Sequence, residues 1–185
     1  GADLAHAIAN ELERVPNAKI VFMINHGIVV GADCIEGISV ILDQVIKRTT
    51  SPPFVVDNAS PPPANVDLAD LGYSPCIDGG INQLALHKSM LNHLKHSWAL
   101  YPDHLVFLGD VPAILGDTVT VQILSGLERL PSYIFVPREG VYEHETVTSA
   151  HYAQIRCYFD VLSRQNVAED LVTLNNKQVS EILEW

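Results

Sequence analysis

Eight histidines stand in this chain of 185 residues, and the one at position 26 has the most pointed setting. Asn25-His26-Gly27 interrupts an apolar run, with Val21-Phe22-Met23-Ile24 before it and Ile28-Val29-Val30 after it. Asparagine tolerates turn conformations, and glycine lets backbone or ligand approach closely. His26 is therefore either packed in a core or held out from a strand end to bind something. Neutral imidazole is the commonest side-chain metal ligand, and its second nitrogen then needs an orienting acceptor. The competing reading is a buried histidine bonded to a backbone carbonyl.

His104 is the second candidate. Pro102 and Asp103 read as a turn, with His104 opening a strand over Leu105–Leu108. Asp103 could orient the ring or simply cap the turn. His87, His93 and His96 share a helical segment with Lys88 and Lys95. No acid joins them at ligand spacing, so they read as a solvated face opposite Leu91, Leu94 and Trp98. Glu143, His144, Glu145 and His151 do not form the H-E-x-x-H of a zinc protease, because the second histidine comes seven residues after the first. They read as a strand end followed by a helix start that Thr148 caps. Ser97, Ser125 and Cys157 lie in no nucleophile signature, and Cys157 falls on a helix that reads as packed.

The elements that must position these groups can be read in order. Residues 3–15 carry Leu4, Ile8 and Leu12 at helical spacing, and Pro16-Asn17 ends that helix. Lys19–Ile24 and Ile28–Val30 read as strands, with Asn25-His26-Gly27 between them as a bend or bulge. A helix over 34–48 is expected to bury Ile35, Ile38, Leu42, Val45 and Ile46, with Asp33 as its cap. Residues 51–68 hold five of the eleven prolines and read as an irregular surface connection. One helix is expected over 81–98, followed by a strand at 105–108 with Ala113–Leu115 as its hairpin partner. Residues 117–130 read as a helix, 133–136 and 140–142 as strands, and 149–164 and 176–184 as helices. The domains follow: 1–50, a proline-rich connection at 51–82, and an α/β region at 83–185 packing on the first. The whole is an α/β fold of the α+β-like kind, layered, with a largely antiparallel sheet flanked by helices.

Bulk properties narrow the function. The net charge is −11, and the densest basic cluster is Lys47-Arg48. A surface that tracks phosphates needs a positive patch, so nucleic acid is not an expected partner, and neither is an anionic membrane. No apolar run approaches the ~20 residues of a membrane span, and the opening residues lack the pattern of a signal peptide. Cys34, Cys76 and Cys157 form no C-x-x-C and read as reduced, buried thiols of a cytoplasmic protein. No G-x-G-x-x-G or Walker loop occurs, which argues against NAD and ATP. A helical pattern at the very start, and an ending on Ile182-Leu183-Glu184-Trp185, are what a chain that naturally continues would show.

The segment VFMINHGIVVGADCIEGI, set between two helices, resembles the Asn-His-Gly segment of the class II aldolase/adducin family. Asn25, His26, Gly27, Gly31, Asp33 and Glu36 carry the match. The likeness is strong over residues 3–48 and weaker beyond, where YPDHLVFLG and the final helices resemble the extension of longer members. It implies a cytoplasmic, often tetrameric lyase that cleaves a phosphorylated sugar or small hydroxy-carbonyl compound through a metal-bound enediolate. His26 would be one of three histidines on a divalent metal, usually zinc, while Asn25, Gly27, Asp103 and His104 are further candidate site residues. The family's His-x-His and its acidic catalytic group have no counterpart here. Adducin-type members imply the alternative, a non-catalytic interaction module.

Overall fold

The computed structural model describes residues 2–55, 57–165 and 171–184. Trp185, the trailing aromatic of the sequence reading, lies outside them. The chain divides into two units, Gly1–Ser51 and Pro52–Trp185. Residues 52–82, read from the sequence as a connection, belong to the second unit. No helix is long and apolar enough to cross a membrane.

The first unit is α1 (Ala2–Arg14), β1 (Ile20–Met23), β2 (Gly27–Val30) and α2 (Ile35–Thr49). The strands form an antiparallel hairpin in which Ile20 faces Val30, Val21 faces Val29 and Phe22 faces Ile28. Directly opposed residues share a face. Ile20, Phe22, Ile28 and Val30 therefore line one face, and Val21, Met23 and Val29 the other. Both faces are apolar, which is the pattern of strands covered on two sides. Yet no described residue of this unit is buried. The apolar stripe expected of α2 exists, but Ile35 and Ile46 on it are exposed. Its N-cap is Cys34, without a side-chain bond, rather than Asp33.

The second unit is built on a four-stranded sheet. Its strands are β3 (Tyr73–Pro75), β4 (Ala113–Ile114), β5 (Tyr133–Val136) and β6 (Gly140–His144), in the order β3-β6-β5-β4. β6 runs antiparallel to β3 and β5, and β4 is parallel to β5. The helices are α3 (Val66–Ala69), α4 (Gly79–Leu86), α5 (Lys88–His96), α6 (Pro102–Leu108), α7 (Val121–Leu124), α8 (Ser149–Leu162) and α9 (Asn176–Leu183). Alternation along β5 divides the core. Tyr133 and Phe135 pack with α4, α5 and α8, through Leu84, Leu94, Tyr158 and Phe159. Ile134 turns the other way, to Leu68 of α3, Leu124 of α7 and Tyr142. The expected mixed α/β fold, largely antiparallel and flanked by helices, is what this unit shows.

Several local expectations are corrected. Leu105–Leu108 is helix, not strand, because Pro102 at the first turn and Asp103 beside it start α6. Ala113–Ile114 consequently pairs in parallel with β5 and not with 105–108 in a hairpin. The helix expected over 81–98 breaks at His87, whose ψ of 123° is extended. Only Val121–Leu124 of 117–130 is helical. The described residues of 52–65 lack regular structure as expected, but α3 begins at Val66 inside the stretch read as irregular, and β3 was not foreseen. Cys34 and Cys157 are exposed and only Cys76 is buried, all three as free thiols.

One contact sets how closely α4 and α8 approach. A Cβ added at Gly80 would lie 2.6 Å from Cε1 and 2.8 Å from Cδ1 of the Phe159 ring. Alanine gains up to about 1 kcal/mol in helix propensity, whereas forcing apart a packed core costs about 1–3 kcal/mol. The clash wins, so Gly80→Ala should lose about 1–2 kcal/mol of stability by urea titration. A gain in stability would show that the two helices have room to separate.

Candidate functional site

The Asn-His-Gly segment forms the tip of the β1–β2 hairpin. The His26 N–H donates to the Met23 carbonyl at 3.1 Å and closes the turn. Asn25 takes φ 57° and Gly27 φ 115°. Asparagine is among the few side-chain-bearing residues that accept the left-handed region readily, and glycine accepts it at no cost. The residue types at 25 and 27 thus follow from the turn itself. His26 is exposed at this tip, and its ring bonds to no other described residue. Of the two sequence readings, the presented imidazole and not the core histidine is found.

His104 is the opposite case. It sits inside α6 with no exposed surface, and neither ring nitrogen has a hydrogen-bond partner. The rings of Trp98, Tyr158 and Tyr101 surround it edge-on, at centroid distances of 4.4, 4.8 and 5.5 Å. Burial pushes its pKa down to about 3, so the imidazole is neutral. The expected placement of His104 at the opening of a strand is thereby corrected: it lies within α6 and is buried. Asp103 beside it is exposed on the first turn of α6, where a carboxylate suits the helix dipole.

The other histidines do not assemble either. His93 is buried, against the expectation of a solvated face, while His96 is exposed. His144 lies at the end of β6, and its Nδ1 shares a 2.8 Å hydrogen bond with Thr146 Oγ1. His151 completes a capping box with Thr148 at the start of α8, as the sequence reading of a capped helix anticipates. Among the described residues no group of three His, Cys, Asp or Glu side chains is placed to hold a metal ion.

A polar cluster that the sequence did not reveal lies between the start of α4, α8 and the proline-rich strap. Asp78 caps α4 by accepting the Ile81 N–H at 2.9 Å. The same carboxylate accepts the Tyr152 hydroxyl at 2.6 Å and Arg156 Nη1 at 2.9 and 3.0 Å. Arg156 also reaches Asp57 at 2.6 Å and stacks over the Phe159 ring. Burial works to raise the Asp78 pKa, but the bonds from Tyr152, Ile81 and Arg156 together outweigh it and hold the group below its ordinary value. Beside it, burial raises Glu143, and the Asp78 charge adds to that rise. Burial likewise pushes the Cys76 thiol up to about 12, which leaves it protonated and inert. Every Asp78 oxygen is occupied by this chain's own donors, so the cluster fastens three segments and leaves Asp78 nothing to offer a reactant. Asp78 in the cap position was the one signal of it in the sequence, since its partners lie 74 and 78 residues away.

Comparison with protein-family models, with curated proteins and with solved structures finds no match to this chain.

Proposed function

We propose that this chain carries part of the site of a class II aldolase-like, metal-dependent lyase, with His26 as one ligand of a divalent metal such as zinc. The observation that supports the reading is the exposed imidazole on a hairpin tip whose neighbours, Asn25 and Gly27, take the two positive-φ positions. An exposed imidazole with no partner among the described residues suits metal ligation. The described residues do not enclose a metal by themselves, because tight zinc sites need three or four protein ligands. The remaining donors would come from outside them, and no reaction step is assigned to this chain's residues. When bound, such a metal supplies Lewis-acid stabilisation of charge developing on a carbonyl oxygen. The resemblance gives the rest of the proposal: a phosphorylated sugar or small hydroxy-carbonyl substrate, a cytoplasmic setting and a homo-oligomer.

The test is metal content by elemental analysis, on this chain and on the longest natural form, each as wild type and His26→Ala. Near-stoichiometric zinc in the long form should fall by about 10-fold or more in the variant, as expected when a zinc site loses one of its few ligands. In metal-free protein the variant's thermal stability should match wild type, since an exposed turn side chain contributes within about 0.5 kcal/mol. Metal absent from both long forms overturns the lyase reading. The second reading, an adducin-like interaction module, is favoured by Phe22 and Ile24, which are exposed around the same hairpin.

A further inference from the structure

A cleft of about 390 Å³ opens in the second unit. It lies between the second half of α6, the loop that follows it, the segment after α7 and Leu183 of α9. That volume is in the range of small-molecule sites. Most of the lining is apolar, and Val106, Val111, Leu127 and Leu183 on it remain about half exposed. Two charges share the lining, Asp110 and Arg129. Neither forms an ion pair with a described residue, and they do not bridge each other within 4.0 Å. A lone carboxylate ligand would satisfy Arg129 and meet Asp110 as a like charge. A lone amine would do the reverse. A molecule that carries both charges close together, beside an apolar body, matches all three features of the lining.

We propose that this cleft binds a free apolar α-amino acid, its carboxylate on Arg129, its ammonium on Asp110 and its side chain against Val106, Val111 and Leu127. Both charged residues are exposed, so solvent screens them and the affinity is weak, on the order of millimolar.

The test is isothermal titration of the full chain with L-phenylalanine, beside 3-phenylpropanoate, 2-phenylethylamine and glycine. Saturable binding of phenylalanine is expected, with 3-phenylpropanoate and 2-phenylethylamine each bound up to about 5-fold more weakly, the factor that one exposed ion pair is worth at most, and glycine weaker for want of the apolar body. Arg129→Gln should reduce phenylalanine to the level of phenylethylamine, and Asp110→Asn to that of phenylpropanoate. Both positions are exposed, so the variants should melt with the wild type, and a loss of affinity then reports the site and not the fold. No saturable heat with phenylalanine would overturn the proposal. So would equal binding of phenylpropanoate, or unchanged affinity in both variants.

Discussion

Between pH 7 and pH 5 the chain should lose about 2 kcal/mol of stability that a His104→Phe variant keeps, and on further acidification to pH 3 the difference should reach roughly 4 kcal/mol. The cause is burial. His104 has no exposed surface and no partner for either nitrogen, and burial pushes its pKa down to about 3 from an unfolded value of 6.5. Between those two values the unfolded chain binds a proton that the folded chain refuses. Stability is therefore complete above about pH 6.5 and falls as pH falls through the window down to 3. Phenylalanine keeps the aromatic contacts with Trp98, Tyr101 and Tyr158 while removing the titrating group. Urea titrations at several pH values on both proteins isolate the difference, because the acidic groups that both share contribute equally. Parallel pH profiles for the two would mean that His104 finds a hydrogen-bond partner in solution.

What could be read from the sequence depended on how local the signal was. Thr148 followed by Ile155, Tyr158, Phe159 and Leu162 gives a cap and an apolar stripe within one segment, and α8 starts where those residues say. The two strands and the bend between them were legible as well, since Asn25 and Gly27 suit the positive φ they adopt, although a bulge fits the same residues and only the pairing shows a hairpin. Leu105-Val106-Phe107-Leu108 was misread because a short apolar run fits a strand or a buried helix alike. The deciding residues, Pro102 and Asp103, suit a turn as well as a helix start. The break at His87 left no mark, as the apolar spacing continues from Leu84 through Leu91 and Leu94 across it. Distance defeated the rest. His104 reads as a loop-edge histidine until Tyr158, 54 residues on, is known to close over it. The Asp57–Arg156–Asp78 cluster joins residues that no window spans.

The same contrast separates the two candidate histidines as functional residues. His26 was weighed as core or presented, and its neighbours settle the turn but not what the imidazole meets. His104 was weighed as a strand-end group, yet it is sealed among aromatic rings, where an imidazole serves packing and no ligand reaches it. An apolar hairpin with no described residue of its unit buried is consistent with His26 being presented towards further protein surface. Both readings under the proposed function require that surface, and the metal analysis separates them.

At neutral pH Asn82→Leu should lose about 3–5 kcal/mol, seen as a fall in melting temperature of about 10 °C. Asn82 has no exposed surface. Its amide nitrogen donates to the carbonyls of Cys76 at 2.8 Å and Asp78 at 2.9 Å, and its oxygen accepts the Val141 N–H at 2.8 Å. One side chain thus ties α4 to the end of β3 and to β6, and so holds the helix layer in register on the sheet. Leucine keeps the branched skeleton of asparagine with somewhat bulkier methyl groups and leaves no empty space, so the loss does not come from a cavity. It would leave the buried Val141 N–H and Cys76 carbonyl with fewer partners, and each such group costs about 1–3 kcal/mol. Asn82→Asp sharpens the test. It keeps the acceptor for Val141 but sets a carboxylate against two carbonyl oxygens, and so should be at least as damaging as leucine at pH 7 and partly recover in acid as the carboxyl gains a proton to donate. A leucine variant within 1 kcal/mol of wild type would mean that water reaches these groups and that the register of α4 on β6 is held by apolar packing alone.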